Sequence, residues 1–138
     1  MENYIKNRVN VKIDDIFYTD RHCGVDGHYI QFFQVVKLKD NNEVVVREIK
    51  RKIISIDKQE NVKIGLVIPC KNDFTTESTF IEDNSIGISK QIQNNLDDKI
   101  YITMSPFSSD KCINAYLWDG EPKKHYNDLF KYITEEKI

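Results

Sequence analysis

The side chains that could act as nucleophiles or metal ligands gather in one loop of the sequence. His22 and Cys23 are adjacent, and His28 follows five residues after the cysteine. A thiol beside an imidazole is an arrangement used in nucleophilic catalysis, and both side chains also bind zinc. Adjacent strand residues point apart, however, and structural zinc sites normally show two close ligand pairs. The sequence therefore favours a polar loop with free thiols, no metal and no cofactor. We call this loop, which contains His22, Cys23 and His28, the His/Cys loop.

The spacing patterns of common enzyme classes are absent from the sequence. It contains no Gly-rich phosphate loop, no G-x-S-x-G, no H-E-x-x-H and no C-x-x-C. The carboxylate pairs at 14–15, 97–98 and 135–136 are neighbours in turns or at a terminus, which is typical of solvated residues. We therefore predict that the protein is not an enzyme and has no catalytic residue. A hydrolase or nuclease built on the His/Cys loop remains an alternative, and it predicts turnover or bound metal.

A second set of side chains has the chemistry to bind a ligand without reacting with it. Tyr29 and Phe33 lie on one arm of a predicted hairpin, and Arg47 and Arg51 lie on the other. A guanidinium group binds phosphate or carboxylate, and an aromatic ring stacks on a base. We predict a ligand site that combines this patch with the His/Cys loop and a turn near the C-terminus. Its members are Arg21, His22, His28, Tyr29, Arg47, Arg51, Trp118 and Asp119.

Core packing is the competing interpretation of the aromatic residues. Phe32 and Phe33 point to opposite faces of a strand, so we expect at least one of them in the core. Trp118 ends a predicted strand at a tight turn, and its indole N–H needs a partner if it is buried.

The elements that must position these residues are mostly strands. Residues 29–38 and 44–56 are rich in β-formers, and the Asp-Asn-Asn sequence at 40–42 between them is a hairpin signature. Five further strands are predicted by composition and by flanking turn residues. They cover 12–18, 62–68 (ended by Pro69), 85–90, 100–104 and 113–118.

One segment shows helical spacing. Within 125–136, Tyr126, Leu129, Phe130 and Ile133 recur at i, i+3, i+4 and i+7. The sequence contains no repeat and no linker, so we predict that residues 1–138 form one domain. We predict a mainly β (α+β) fold, with a single curved antiparallel sheet or small barrel and one C-terminal helix.

Composition restricts the partners and the compartment. The net charge of -2, from 20 basic and 22 acidic residues, is too balanced to indicate a DNA-binding protein or a DNA mimic. The sequence has no apolar run of the ~18 residues that a membrane span needs, and its start lacks the pattern of a signal peptide. The three cysteines are far apart and odd in number, which indicates free thiols in a reducing compartment. We expect a cytoplasmic protein with no membrane contact.

Two stretches carry a resemblance to a known group of proteins. The first combines D-I-F-Y at 15–18, C-G-V-D-G-H-Y-I-Q-F-F-Q-V-V at 23–36 and R-E-I at 47–49. The second is A-Y-L-W-D-G-E-P at 115–122. Together they resemble the opening and closing motifs of a family of short tailed-phage and prophage proteins. The loop keeps Gly24 and Asp26 of the family pattern.

This loop differs from the family at its other positions, which are Cys23, Val25, Gly27, His28 and Tyr29. If the family binds through the loop, the ligand or partner of this member differs. The resemblance implies phage ancestry, and small phage proteins without enzymatic activity often inhibit host defence. We therefore expect a phage- or prophage-encoded binding protein that inhibits bacterial antiphage immunity. It would sequester a nucleotide signal or occlude a host defence protein.

A small β-barrel nucleic-acid-binding protein of phage DNA metabolism or regulation is the main alternative. Five cationic side chains on the predicted hairpin would then follow the phosphate backbone. They are Lys37, Lys39, Lys50, Arg51 and Lys52. Homo-oligomers are compatible with each of these functions, because an open sheet leaves edge strands that can pair across a symmetry axis.

Overall fold

The computed structural model describes residues 10–22, 28–59, 62–95, 97–107 and 111–125, and within these ranges the side chains of 22, 57–59 and 62–64 are not described. The described residues form nine strands and contain no helix. Among them there is accordingly no helix long and apolar enough to cross a membrane. The strands are β1 (Ile16–His22), β2 (His28–Lys39), β3 (Glu43–Gln59), β4 (Val62–Phe74), β5 (Ile88–Gln91), β6 (Gln93–Asn94), β7 (Ile100–Met104), β8 (Ile113–Leu117) and β9 (Lys123–His125).

All nine strands belong to one antiparallel sheet. The order is β6-β7-β8-β1-β2-β3-β4-β9, and β5 pairs with β3 beside this path. The sheet curls into a half-barrel, so that β9 approaches the start of β2 although the two are far apart in the strand order. The prediction of a mainly β, curved antiparallel sheet is confirmed. The helix predicted over 125–136 lies outside the described residues, apart from His125, which is the last residue of β9.

The hairpin predicted around 40–42 is β2 and β3. Asn41 and Asn42 have φ values of 65° and 61°, a left-handed conformation that asparagine tolerates better than most residues. Next to the turn Lys39 pairs with Glu43, and the register shifts between Val35 and Lys37 before Phe32 pairs with Ile49. The local sequence therefore determines the turn and the pairs beside it, but not the shifted register beyond Val35.

Apolar residues are buried on both faces of β2 because the sheet curls. Phe33 belongs to one core cluster and Phe32 to the other, and both are fully buried. Phe80 and Ile81, in the segment between β4 and β5, pack into the first cluster. The first cluster contains Phe17, Phe33, Val35, Val44, Val46, Phe80, Ile81, Ile92, Ile102, Met104 and Ala115. The second contains Ile16, Ile30, Phe32, Ile49, Ile53 and Val67.

Several predicted strand boundaries are wrong: β1, for example, continues to His22 instead of ending at residue 18, and three other differences have a local reason. β1 begins at Ile16 rather than at residue 12, because Asp14 adopts a φ of 77° in a turn. β4 continues through Pro69, because the register shifts between the partners of Ile49 and Arg51, and proline is tolerated at such an irregularity. β5 begins only at residue 88, after a turn that ends at Gly87 with a φ of 89°.

Candidate functional site

Six polar and aromatic side chains meet where β1 ends and β2 begins. Arg21 lies opposite Tyr29 on the β1–β2 ladder, and Thr19 lies opposite Gln31, so these four residues share one face of the sheet. β3 and β9 supply the remaining members. We call this group the arginine–glutamate cluster: Arg21, Tyr29, Gln31, Glu48, Arg51 and His125.

A buried glutamine links an arginine to a carboxylate in this cluster. Glu48 is 5% exposed and accepts a 3.0 Å hydrogen bond at Oε2 from Nε2 of Gln31. The other amide atom of Gln31, Oε1, accepts a 3.3 Å hydrogen bond from Nη1 of Arg21. Nε2 also lies 3.3 Å from the hydroxyl oxygen of Thr79. Gln31 therefore fixes the positions of Glu48 and Arg21 relative to each other.

Arg51, Tyr29 and His125 form a stack beside this link. The guanidinium carbon of Arg51 lies 4.6 Å from the centre of the Tyr29 ring. The rings of Tyr29 and His125 have their centres 5.1 Å apart. Cation–π contact with Tyr29 holds the guanidinium plane of Arg51 in one orientation.

His125 is part of the backbone hydrogen bonding of the sheet. Its Nδ1 accepts a 3.0 Å hydrogen bond from the backbone N–H of Ile30. The β2–β3 ladder begins only at the pair Phe32–Ile49, so the imidazole replaces a strand partner at this point. Burial, with a smaller contribution from the positive charge of Arg51, lowers the pKa of His125 from 6.5 to about 3. His125 is therefore neutral at pH 7.

The charges of the cluster sum to a positive value. Burial raises the pKa of Glu48 above its ordinary value of 4.5, against hydrogen bonds from Ser78 and Gln31 and the charges of Arg51 and Arg21. Two guanidinium groups, those of Arg21 and Arg51, face the single carboxylate of Glu48. An anion is therefore the kind of ligand that this cluster attracts.

Three buried polar atoms around this cluster have no hydrogen-bond partner among the described residues. They are Oε1 of Glu48, Nε of Arg51 and Oγ1 of Thr19. Buried polar atoms are nearly always hydrogen-bonded in folded proteins. A polar ligand group or an ordered water would satisfy them.

The structure brings three of the eight predicted site residues together: Arg21, Tyr29 and Arg51. His28 points to the opposite face of β2, where its Nδ1 lies 2.9 Å from Oδ1 of Asp20. The side chain of His22 lies outside the described part, as does all of Cys23.

Arg47 lies apart from the cluster because it alternates with Glu48 along β3. Its guanidinium carbon is 3.8 Å from the centre of the Phe74 ring, and its Nε donates a 2.5 Å hydrogen bond to the backbone oxygen of Asn84. Asn84 is buried and binds the backbone of Glu48 through both atoms of its amide. Arg47 thus helps to hold the segment between β4 and β5 against the sheet.

Trp118 and Asp119 form a closed turn away from the cluster. The indole N–H of Trp118 donates a 2.8 Å hydrogen bond to the backbone oxygen of Glu121, and its ring contacts Phe32 edge-on. Asp119 accepts hydrogen bonds from the backbone N–H of Glu121 and from Lys123, and these bonds lower its pKa. The half-buried Trp118 thus has a partner for its indole N–H within its own turn.

Sequence reasoning missed Gln31, Glu48 and His125. Glu48 did carry a signal, because it is the first charged residue after Val44 and Val46 on one face of β3. His125 carried none, because the local pattern assigned it to a helix.

Metal ligands and basic residues do not form a second candidate site among the residues that the structure describes. Within the ranges that the structure describes, no three His, Cys, Asp or Glu side chains are grouped as a metal ion requires. Among the basic residues of the nucleic-acid alternative, Lys39 binds the hydroxyl of Ser89, and Lys50 lies 3.7 Å from Asp73. Part of that positive charge is therefore already paired.

Comparison with known proteins adds no assignment. No family model, no curated protein and no solved structure matches this chain.

Proposed function

We propose that this protein is a non-catalytic binding protein and that the arginine–glutamate cluster holds an anionic ligand with a planar ring, such as a nucleotide. The observation that carries the proposal is a pair of buried, unpartnered polar atoms, Oε1 of Glu48 and Nε of Arg51, in a cluster with a positive charge. Burying such atoms without a partner costs about 1–3 kcal/mol each. A ligand that supplies the missing hydrogen bonds recovers this free energy.

The two arginines suit a phosphate or carboxylate group. Arg21 and Arg51 are both half-buried, so their guanidinium groups are partly desolvated yet still accessible. Arginine binds these anions through two parallel N–H groups, and partial desolvation strengthens such bonds. Arg51 is also held in position by Tyr29 before any ligand arrives. A planar base extends this stack, because guanidinium groups and tyrosine rings both stack on nucleobases.

The burial and hydrogen bonding of two other titratable side chains, His125 and Glu48, support binding rather than catalysis. His125 is neutral and uses Nδ1 to accept the backbone N–H of Ile30. Glu48 is fixed by Gln31 and is almost completely buried. A general base needs a free lone pair to accept a substrate proton, and the Nδ1 lone pair of His125 is already used by the N–H of Ile30.

The resemblance to short tailed-phage proteins supports a biological role for this ligand binding. We propose that the ligand is a nucleotide signal of bacterial antiphage immunity, which the protein sequesters in the cytoplasm of the host. A protein of this kind acts by mass action, so it needs an affinity that matches the signal concentration rather than a turnover rate.

Native mass spectrometry with a panel of cyclic and linear nucleotides tests the proposal. We expect a one-to-one adduct for at least one nucleotide. We also expect the adduct to disappear when Arg21 and Arg51 are both changed to alanine. The matched control is the double change Lys50→Ala and Lys52→Ala, because both lysines are exposed on the same strand as Arg51. No adduct with any nucleotide, or equal adducts in both double variants, would contradict the proposal.

A further inference from the structure

Three tyrosines form a row across neighbouring strands on the other face of the sheet. Tyr101 on β7 lies directly opposite Tyr116 on β8, which lies directly opposite Tyr18 on β1. The centres of the Tyr101 and Tyr116 rings are 5.7 Å apart. We call Tyr18, Tyr101 and Tyr116 the tyrosine row.

The row lies on the face opposite to the first core cluster. Its sequence neighbours Phe17, Ile102 and Ala115 are fully buried in that cluster. Because successive strand residues point to opposite faces, the tyrosines point away from it. Each tyrosine is half-buried, and Tyr18 also packs against the second core cluster. The arginine–glutamate cluster, which contains Arg21 of β1, lies on the opposite face from Tyr18.

The charges beside the row are positive. β7 and β8 contain no charged residue. The ammonium nitrogen of Lys99 lies 5.9 Å from the centre of the Tyr116 ring, and that of Lys123 lies 4.7 Å from the centre of the Tyr18 ring. Lys123 is also paired with Asp119, so these two charges offset each other and Lys99 supplies the net positive charge beside the row.

We propose that the tyrosine row is a binding surface for single-stranded nucleic acid. Accessible aromatic rings on a sheet, with cations beside them, are the arrangement on which successive unpaired bases stack. Strands in a sheet lie about 4.8 Å apart, so rings on neighbouring strands can each take one base of an extended strand. Lys99 is exposed, and its flexible side chain can move from the ring of Tyr116 to a phosphate group. The hydrogen-bonded pair Thr103 and Asn114 adds polar groups on the same face.

The proposal predicts a weak dependence on salt. Among the described residues, Lys99 is the cation beside the row that is not paired with Asp119, and each phosphate contact with a single strand contributes a slope of about -0.7 to log K against log salt. The expected slope is therefore about -0.7. Binding that rests mainly on phosphate contacts would give a much steeper slope.

Fluorescence anisotropy with labelled 12-nucleotide dT and rU strands tests the proposal on the full chain. We expect the wild type to bind the strands and Tyr116→Ala to lose about tenfold or more in affinity. Tyr116→Phe keeps the ring and should have nearly the affinity of the wild type. Lys99→Ala should reduce the salt slope by about 0.7. The matched control is Lys52→Ala, which removes an exposed lysine from β3.

Three outcomes would overturn the proposal. One is the absence of oligonucleotide binding at low salt, and another is equal binding by Tyr116→Ala once its folding has been verified by circular dichroism. The third is tyrosine-dependent binding of an oligosaccharide or a proline-rich peptide without any binding of the strands.

Discussion

Gln31 and Glu48 share a buried hydrogen bond of 3.0 Å between an amide nitrogen and a carboxylate oxygen, while the second carboxylate oxygen has no partner among the described residues. Gln31 thus fixes one oxygen of this carboxylate in position. The carboxylate belongs to a cluster that also contains Arg21 and Arg51. This relationship is the physical basis of the proposed ligand site.

Changing Glu48 to glutamine should stabilise the protein at neutral pH. The folded state holds the Glu48 proton to a higher pH than the unfolded state, so stability falls as pH rises from about 4.5 through the raised pKa. Glutamine removes this loss, and we therefore expect the variant to be more stable than the wild type at pH 7. Urea unfolding of both proteins between pH 5 and pH 8 measures it. A variant that is less stable at pH 7, with an unchanged pH profile, would contradict the assignment.

His125 should make the protein sensitive to acid. Its pKa is about 3 in the folded state against 6.5 in the unfolded state, so stability is complete above pH 6.5 and falls as the pH decreases toward 3. His125→Asn removes the titrating group but keeps an acceptor for the N–H of Ile30, and we expect it to reduce the acid slope. His125→Phe also removes the acceptor and should cost about 1–3 kcal/mol at pH 7. Unfolding curves between pH 4 and pH 7 distinguish the two, and equal stability of both variants at pH 7 would exclude a role for the acceptor.

Gln34 should be essential to the start of the sheet. It is 1% exposed, and its Nε2 donates to Oδ1 of Asp14 and of Asn72, while its Oε1 accepts the backbone N–H of Asn72. Gln34→Ala leaves these groups without a partner, and we expect a loss of about 2–4 kcal/mol in the free energy of unfolding. Chemical denaturation measures this loss. The exposed Lys37→Ala, three residues along β2, should change it by less than about 0.5 kcal/mol.

Two glycines with the same backbone conformation provide a matched pair. Gly87 and Gly120 have φ values of 89° and 88°, which residues other than glycine rarely adopt. A Cβ at Gly87 would lie 2.8 Å from Cγ1 of Val45 and from the backbone oxygen of Val46, whereas one at Gly120 would meet nothing within 4 Å. Gly120→Ala should therefore cost only the conformational term of about 1 kcal/mol, and Gly87→Ala about 1–3 kcal/mol more. Equal thermal stabilities would show that the contact at Gly87 relaxes freely.

The sequence predicted the parts of the fold that local patterns determine. The turn at Asn41 and Asn42 and the strands on either side follow from turn chemistry and β-propensity. The predicted end of a strand at Pro69 was wrong. Whether a proline ends a strand depends on the register of the partner strand, and no local pattern contains this information.

The candidate site was harder to predict than the fold, because it depends on contacts between residues that are distant in the sequence. Arg51 and Tyr29 were predicted as binding residues and do contact each other. Glu48 joins them only because the β2–β3 register places it opposite Phe33. His125 reaches Ile30 across 95 residues of sequence, through the curl of the sheet. Residue type can nominate an arginine or a tyrosine, but only the tertiary structure determines which buried polar group lies beside it.

Calorimetric titration of the nucleotide that gives the strongest adduct is the most direct test of the arginine–glutamate cluster as a ligand site. We predict one-to-one binding by the wild type, a loss of tenfold or more in affinity for Arg51→Ala, and no significant change for Lys52→Ala on the same strand. Equal affinities for the wild type and Arg51→Ala would contradict the account, because the ligand would then bind elsewhere on the protein.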